Sequence, residues 1–87
     1  MAISWELERH RDLLLVRLRG EMDIHTADSV RRMLQSELDK GTTVHLLLNL
    51  GKLTFMDSSG LGVILGRYKL IKSRGGKMVV CDVQANV

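Results

Sequence analysis

The stretch richest in chemistry is Phe55-Met56-Asp57-Ser58-Ser59-Gly60-Leu61-Gly62, where a carboxylate, two hydroxyls and two glycines stand together. A serine beside an aspartate can act as a nucleophile, accept a group transferred by another protein, or cap a helix. Nucleophilic catalysis needs a general base, yet no histidine is local and the Gly-x-Ser-x-Gly elbow of hydrolases is absent. Neither a Gly-x-x-x-x-Gly-Lys-Ser/Thr loop nor a Gly-x-Gly-x-x-Gly turn occurs; Gly60 to Gly66 comes near the dinucleotide pattern and misses its spacing. A small nucleotide-binding or hydrolytic enzyme is thus a weak alternative. His10, His25 and His45 are scattered without ligand spacing and Cys81 stands alone, so no metal or other cofactor is implied. Cys81, in an apolar run, reads as a small core residue.

The elements that must hold such a serine are marked by glycines, since the chain has no proline. Ile3 to Arg9 alternates with the period of a half-exposed strand, and Leu13 to Leu18 reads as a more buried one, with Leu14, Val16 and Leu18 on one face. The two are expected to form a hairpin, the second strand ending at Gly20. Ala27, Val30, Leu34 and Leu38 then fall on one face of a helix with Thr26 as N-cap, running to about Lys40 before a left-handed Gly41. Thr43 to Leu50 reads as a central parallel strand closed by Gly51.

A second helix is expected from the Asp57-Ser58-Ser59-Gly60 junction to Gly75-Gly76, with Asp57 and Ser58 each offering an oxygen to the first-turn amides. Leu61, Ile64, Leu65 and Tyr68 form its expected core stripe, leaving Val63 and Leu70 outside. Gly60, Gly62 and Gly66 each cost about 1 kcal/mol of helix propensity relative to alanine, so close packing on the sheet or close approach of a partner is expected there. Lys77 to Val83 reads as a further buried strand. The order β-β-α-β-α-β predicts an α/β fold with a mixed, mostly parallel sheet packed by helices. Asp23 sits in the turn before the first helix, a place for local capping. In parallel topology the segments Glu21 to Thr26 and Asp57 to Gly60 should share one edge.

At 87 residues, with 45% hydrophobic and 3% aromatic side chains, the sequence holds one domain over residues 1–87 and an aliphatic core. No apolar run nears the roughly 18 residues of a membrane span, and the start lacks the pattern of a secretory leader. One cysteine fits a reducing, cytosolic setting. The net charge of +3 is local: Arg67, Lys69, Lys72, Arg74 and Lys77 contain no acid among them, and the remainder has eight basic residues against ten acidic. With one Trp, one Tyr and one Phe for stacking, direct nucleic-acid binding is not expected, and the basic run reads as a solvated helix end.

The segment Phe55 to Lys69, with its Asp-Ser-Ser-Gly-Leu-Gly core, strongly resembles the phosphorylation segment of STAS-domain anti-sigma factor antagonists, particularly those of sporulation. Gly20-Glu21-Met22-Asp23 with Thr26-Ala27, and Gly75 to Cys81, resemble two further segments of that family. The resemblance implies a bacterial cytoplasmic regulator of transcription, not itself an enzyme, that works by partner switching. It would bind an anti-sigma factor that is also a serine kinase and so release a sigma factor. Phosphorylation on the serine after the aspartate, Ser58, would end that binding, and a phosphoserine phosphatase would restore it. The implied contact residues are Glu21, Asp23, His25, Thr26, Asp57, Ser59, Gly60 and Gly62. A STAS scaffold or sensor domain of a larger signalling assembly is the main alternative. The family continues past the last strand with covering helices, whereas this sequence stops at Gln84-Ala85-Asn86-Val87, so homodimerisation or strand exchange is expected to complete the core.

Overall fold

The computed structural model of the chain describes residues 2–84. Its elements run β1 (Ile3–His10), β2 (Leu13–Met22), α1 (Ala27–Asp39), β3 (His45–Met56), α2 (Ser58–Ser73) and β4 (Met78–Cys81), the expected order. They build a sheet in sequence order, β1-β2-β3-β4, antiparallel between β1 and β2 and parallel across the other two pairs. Both crossovers step the same way, and the right-handed rule then puts both helices on one face. Leu14, Val16 and Leu18 of β2, Leu46, Leu48, Leu50 and Leu53 of β3, Val30, Leu34 and Leu38 of α1, and Ile64 and Ile71 of α2 form one buried cluster between sheet and helices.

Gly20 and Gly51 do not end their strands. β2 continues through Gly20 at φ +109, where a side chain would run into the Ala2 carbonyl oxygen. β3 continues through Gly51 because it carries extra residues opposite β2: the register passes from Arg17↔Asn49 to Arg19↔Lys52, then from Gly20↔Leu53 to Glu21↔Phe55. Such bulges shift the phase of the side chains, so the core row Leu46, Leu48, Leu50 resumes at Leu53 rather than at residue 52.

Three further expectations change. β4 is shorter than residues 77–83 and is an edge strand: Val79 is 52% exposed, Val80 36%, and Cys81 is half-buried rather than in the core. α2 is rolled relative to its expected stripe. Gly60, Ile64 and Ile71 are buried and Val63 and Leu70 pack on the core, while Leu61, Leu65 and Tyr68 face outward. A helix apolar on nearly every side leaves its orientation to its tightest contact, and Gly60 supplies it. Arg67 is not part of a solvated helix end: its Nη1 donates to Gln35 Oε1 of α1 at 3.0 Å, and its Nε is buried without a partner among the described residues. Ala85, Asn86 and Val87, on which the expected self-association partly turned, lie outside the described residues.

Candidate functional site

The site lies at the carboxyl ends of β2 and β3, where each strand turns into a helix. The backbone stitches the two turns together: the Asp57 N–H donates to the Met22 carbonyl at 3.2 Å, and Met22 stands opposite Met56 in the sheet. Gly60 seals the junction. A Cβ there would stand 2.7 Å from Met56 Cγ, 3.0 Å from Met22 Cγ and 3.1 Å from the Met22 carbonyl oxygen. The sheet-packing explanation therefore holds for Gly60 and fails for Gly62 and Gly66, around whose Cβ positions there is nothing within 4 Å.

Asp57 caps α2. In extended backbone geometry, its Oδ1 accepts the N–H of Ser59 at 2.9 Å and of Gly60 at 3.3 Å, and its carbonyl accepts that of Leu61 at 3.1 Å. Ser58 has no share in the cap. It is the first residue of the helix, exposed, its hydroxyl presented to solvent, while Ser59 behind it is half-buried. The Ser59 and Gly60 amides of the helix start are occupied by the Asp57 carboxylate.

The turn from β2 to α1 is closed by Asp23 and Thr26, both buried. Asp23 Oδ1 accepts the His25 N–H at 2.8 Å and the Thr26 N–H at 3.1 Å. The Thr26 hydroxyl donates to the Glu21 carbonyl at 2.8 Å and accepts the Asp23 N–H at 2.9 Å. Thr26 is thus the N-cap of α1 by position only; its hydroxyl faces backward into the turn and bonds no amide of α1. Burial pushes the Asp23 carboxyl up, but the two backbone N–H donors, the neighbouring His25 and the Thr26 hydroxyl outweigh it and hold its pKa below the usual carboxylate range. The His25 ring is exposed and Glu21 is half-buried.

The structure thus brings Glu21, Asp23, His25, Thr26, Asp57, Ser58, Ser59 and Gly60 to one edge, with Gly62 one turn further along α2. No lysine or arginine occurs in residues 21–26 or 55–62, so the edge is acidic. It also has an apolar component that sequence reasoning missed: Ile24 is 71% exposed, Leu61 49% and Phe55 43%. The signal was present in Gly60, because the residue after one that faces the sheet is carried about 100° round the helix, away from it.

The arrangement therefore offers an exposed hydroxyl on a capped helix start, next to the Asp57 carboxylate and on an edge with open apolar side chains. Among the described residues no group of histidine, cysteine or carboxylate side chains is placed to hold a metal ion. No described helix is long and apolar enough to cross a membrane. The comparison that decides the family is direct: residues 4–87 match the STAS domain. The chain belongs to the STAS domain family. Its relatives include an anti-sigma F factor antagonist of Paenibacillus polymyxa, 53% identical over 87 residues, which cover all of this chain and 74% of that protein. An anti-sigma-B factor antagonist of Bacillus subtilis is 30% identical over 90% of this chain and 70% of its own length. The solved structure of SpoIIAA, an anti-sigma factor antagonist, in its unphosphorylated form superposes on this STAS domain with a TM-score of 0.81 at 29% identity, covering 93% of this chain and 74% of that one. SpoIIAA from Bacillus has also been solved in a phosphorylated form.

Proposed function

We propose that this STAS domain is an anti-sigma factor antagonist, switched by phosphorylation of Ser58. The observation that carries the reading is the Asp57-Ser58 junction: the carboxylate fixes the helix start, and Ser58 is left exposed on it, its hydroxyl without a hydrogen bond among the described residues. An acceptor of a transferred phosphoryl group needs that combination, because in-line transfer depends on position and the reacting oxygen must be free. In this reading ATP, magnesium and the residues that stabilise the transition state belong to the partner, an anti-sigma factor with serine kinase activity. A phosphoserine phosphatase resets the site.

The partner contacts Glu21 and His25 on one turn and Asp57, Ser59 and Gly62 on the other, whereas Asp23, Thr26 and Gly60, expected as contacts, are buried and instead hold the two turns in shape. Support comes from the anti-sigma antagonist names of the relatives and from the existence of a phosphorylated SpoIIAA. The test is incubation with ATP and the cognate anti-sigma kinase, followed by mass spectrometry of the peptides. A single phosphate on Ser58, lost in Ser58→Ala, is expected. Modification at Ser59, or nucleotide turnover by this chain alone, would overturn the reading.

A further inference from the structure

The end of the domain opposite Ser58 carries a second charged surface. Lys69, Lys72, Arg74 and Lys77 are all exposed. Among the described residues none of the four enters an ion pair; the lysines and arginines that do are Arg9, Arg17, Arg31, Arg32 and Lys40. Compensation of the helix dipole accounts for a cation in the last turn of α2, which is Lys72. It does not account for Lys69 a turn earlier, or for Arg74 and Lys77 beyond the helix.

Arg74 borders a feature that can receive a chain, and Lys72 and Lys77 lie within three residues of it in the sequence. Arg74 lines a shallow groove of about 410 Å³ together with Leu38 and Val44. Val44 is 36% exposed. The rim is held firmly: the Arg74 N–H donates to the Leu70 and Ile71 carbonyls, and Gly76 lies so close that a side chain on it would collide with the Val44 carbonyl. Lys77 follows beside Val44, its N–H donating to His45 Nδ1 at 3.0 Å. Of the carboxylates at this end, Glu37 is the one paired with cations among the described residues. Glu37 is held by Arg9 and Lys40, Asp12 lies 3.9 Å from His45, and Asp39, on the groove, accepts from Gln35.

We infer that this groove docks an acidic segment of a partner protein, one apolar side chain resting on Val44 and the flanking carboxylates meeting Arg74, Lys77 and Lys72. The exposed cations outnumber Asp39 and select an anionic occupant, and the exposed Val44 side chain selects a peptide over a phosphate backbone. Stacking a base would need a free aromatic ring, and Tyr68 has the Lys72 ammonium 5.9 Å from its ring centre. α2, 16 residues long, spans about 24 Å. The groove is therefore remote from Ser58 and stays available whatever the state of that serine.

Fluorescence anisotropy with a labelled Glu-Glu-Leu-Glu-Glu-Glu peptide, and its glutamine analogue as control, tests the inference. The acidic peptide is expected to bind and to weaken with added salt. It should lose about tenfold or more in Lys72→Glu/Arg74→Glu/Lys77→Glu, and keep its affinity in Ser58→Asp. Should the triple variant lose its far-UV circular dichroism, Arg74→Glu alone serves, with a smaller loss expected. Equal binding of the glutamine peptide, no binding near millimolar peptide, or tighter binding of a single-stranded oligonucleotide or anionic vesicles would overturn it. Because the readout does not involve Ser58 or a kinase, its failure would leave the proposed switch untouched.

Discussion

Three glycines in one helix invite a single explanation, and the geometry gives two, which alanine substitution separates. At Gly60 a methyl group would stand 2.7 Å from Met56 Cγ, a contact that a flexible side chain could relieve by moving. It would also stand 3.1 Å from the Met22 carbonyl oxygen, which cannot move without breaking the 3.2 Å bond it accepts from Asp57. Met22 is fully buried and has no room to turn. Overpacking of this kind costs about 1–3 kcal/mol. The intrinsic gain of alanine over glycine in a helix, about 0.5–1 kcal/mol, offsets part of it. Gly60→Ala should therefore destabilise by a net of about 1–2 kcal/mol, whereas Gly62→Ala and Gly66→Ala, with open space at the Cβ, should each stabilise by about 0.5–1 kcal/mol. Urea melts followed by Trp5 fluorescence and circular dichroism would show the two signs; a difference of 1 kcal/mol moves the thermal midpoint of a domain this size by about 4–8 °C. A Gly60→Ala protein as stable as the parent, or a Gly62→Ala protein less stable, would refute the account. If Gly62→Ala gains stability yet binds the anti-sigma partner more weakly, the open glycine serves the interface rather than the fold.

Ser58→Asp should leave the circular dichroism spectrum unchanged and weaken binding of the anti-sigma kinase by about tenfold or more, measured by calorimetry; unfolding of the variant would sink the steric and electrostatic mechanism. Asp57→Ala removes the acceptor for two amides and should cost about 1 kcal/mol in urea melts, with no loss expected if the cap were incidental. The Asp23 pKa is lowered in the folded state, so the unfolded chain takes up the proton first as pH falls. Its contribution is therefore complete above the usual carboxylate range of about 4 and is lost as pH falls through the lower folded value. Glu8, Asp28 and Glu37 are shifted the same way by their arginine or lysine partners. Stability should thus drop as pH falls below about 4, less steeply in Asp23→Asn, and a rise there would contradict the assignment.

What the sequence made legible was whatever obeys one period for long enough. β2 showed its core row as Leu14, Val16 and Leu18, and α1 showed Ala27, Val30, Leu34 and Leu38, because each element keeps its repeat throughout its buried length. β3 does not: the bulges near Gly51 and Thr54 change which residues face the core, so its second half reads as a loop. Periodicity failed on α2 for the opposite reason, since Leu61, Val63, Ile64, Leu65, Tyr68, Leu70 and Ile71 surround the helix and no stripe stands out. The Asp57-Ser58 junction was legible because capping is local chemistry, yet which of two oxygens caps depends on the backbone angles of Asp57, which composition does not encode. The acidic edge required topology as well as pattern, because Glu21 and Asp57 meet only through the pairing of β2 with β3.

That edge also changes how a phosphate on Ser58 would act. An anion at a helix start is ordinarily received by the free amides and the dipole. On this helix the Ser59 and Gly60 amides already bond the Asp57 carboxylate, so a phosphate must either displace that carboxylate or stand beside it. Displacement exchanges one anionic cap for another and leaves the helix intact. Standing beside it adds about −1.5 to −2 charges to a surface that has Glu21 and Asp57, the buried Asp23 behind them, and no lysine or arginine in either turn. In both cases neither turn supplies a lysine or arginine to neutralise the phosphate, and its charge is left for the partner to meet. The proposed switch therefore needs no conformational change in the STAS domain; its strength should fall as salt screens the exposed charge, leaving the bulk of the phosphate as the residual barrier.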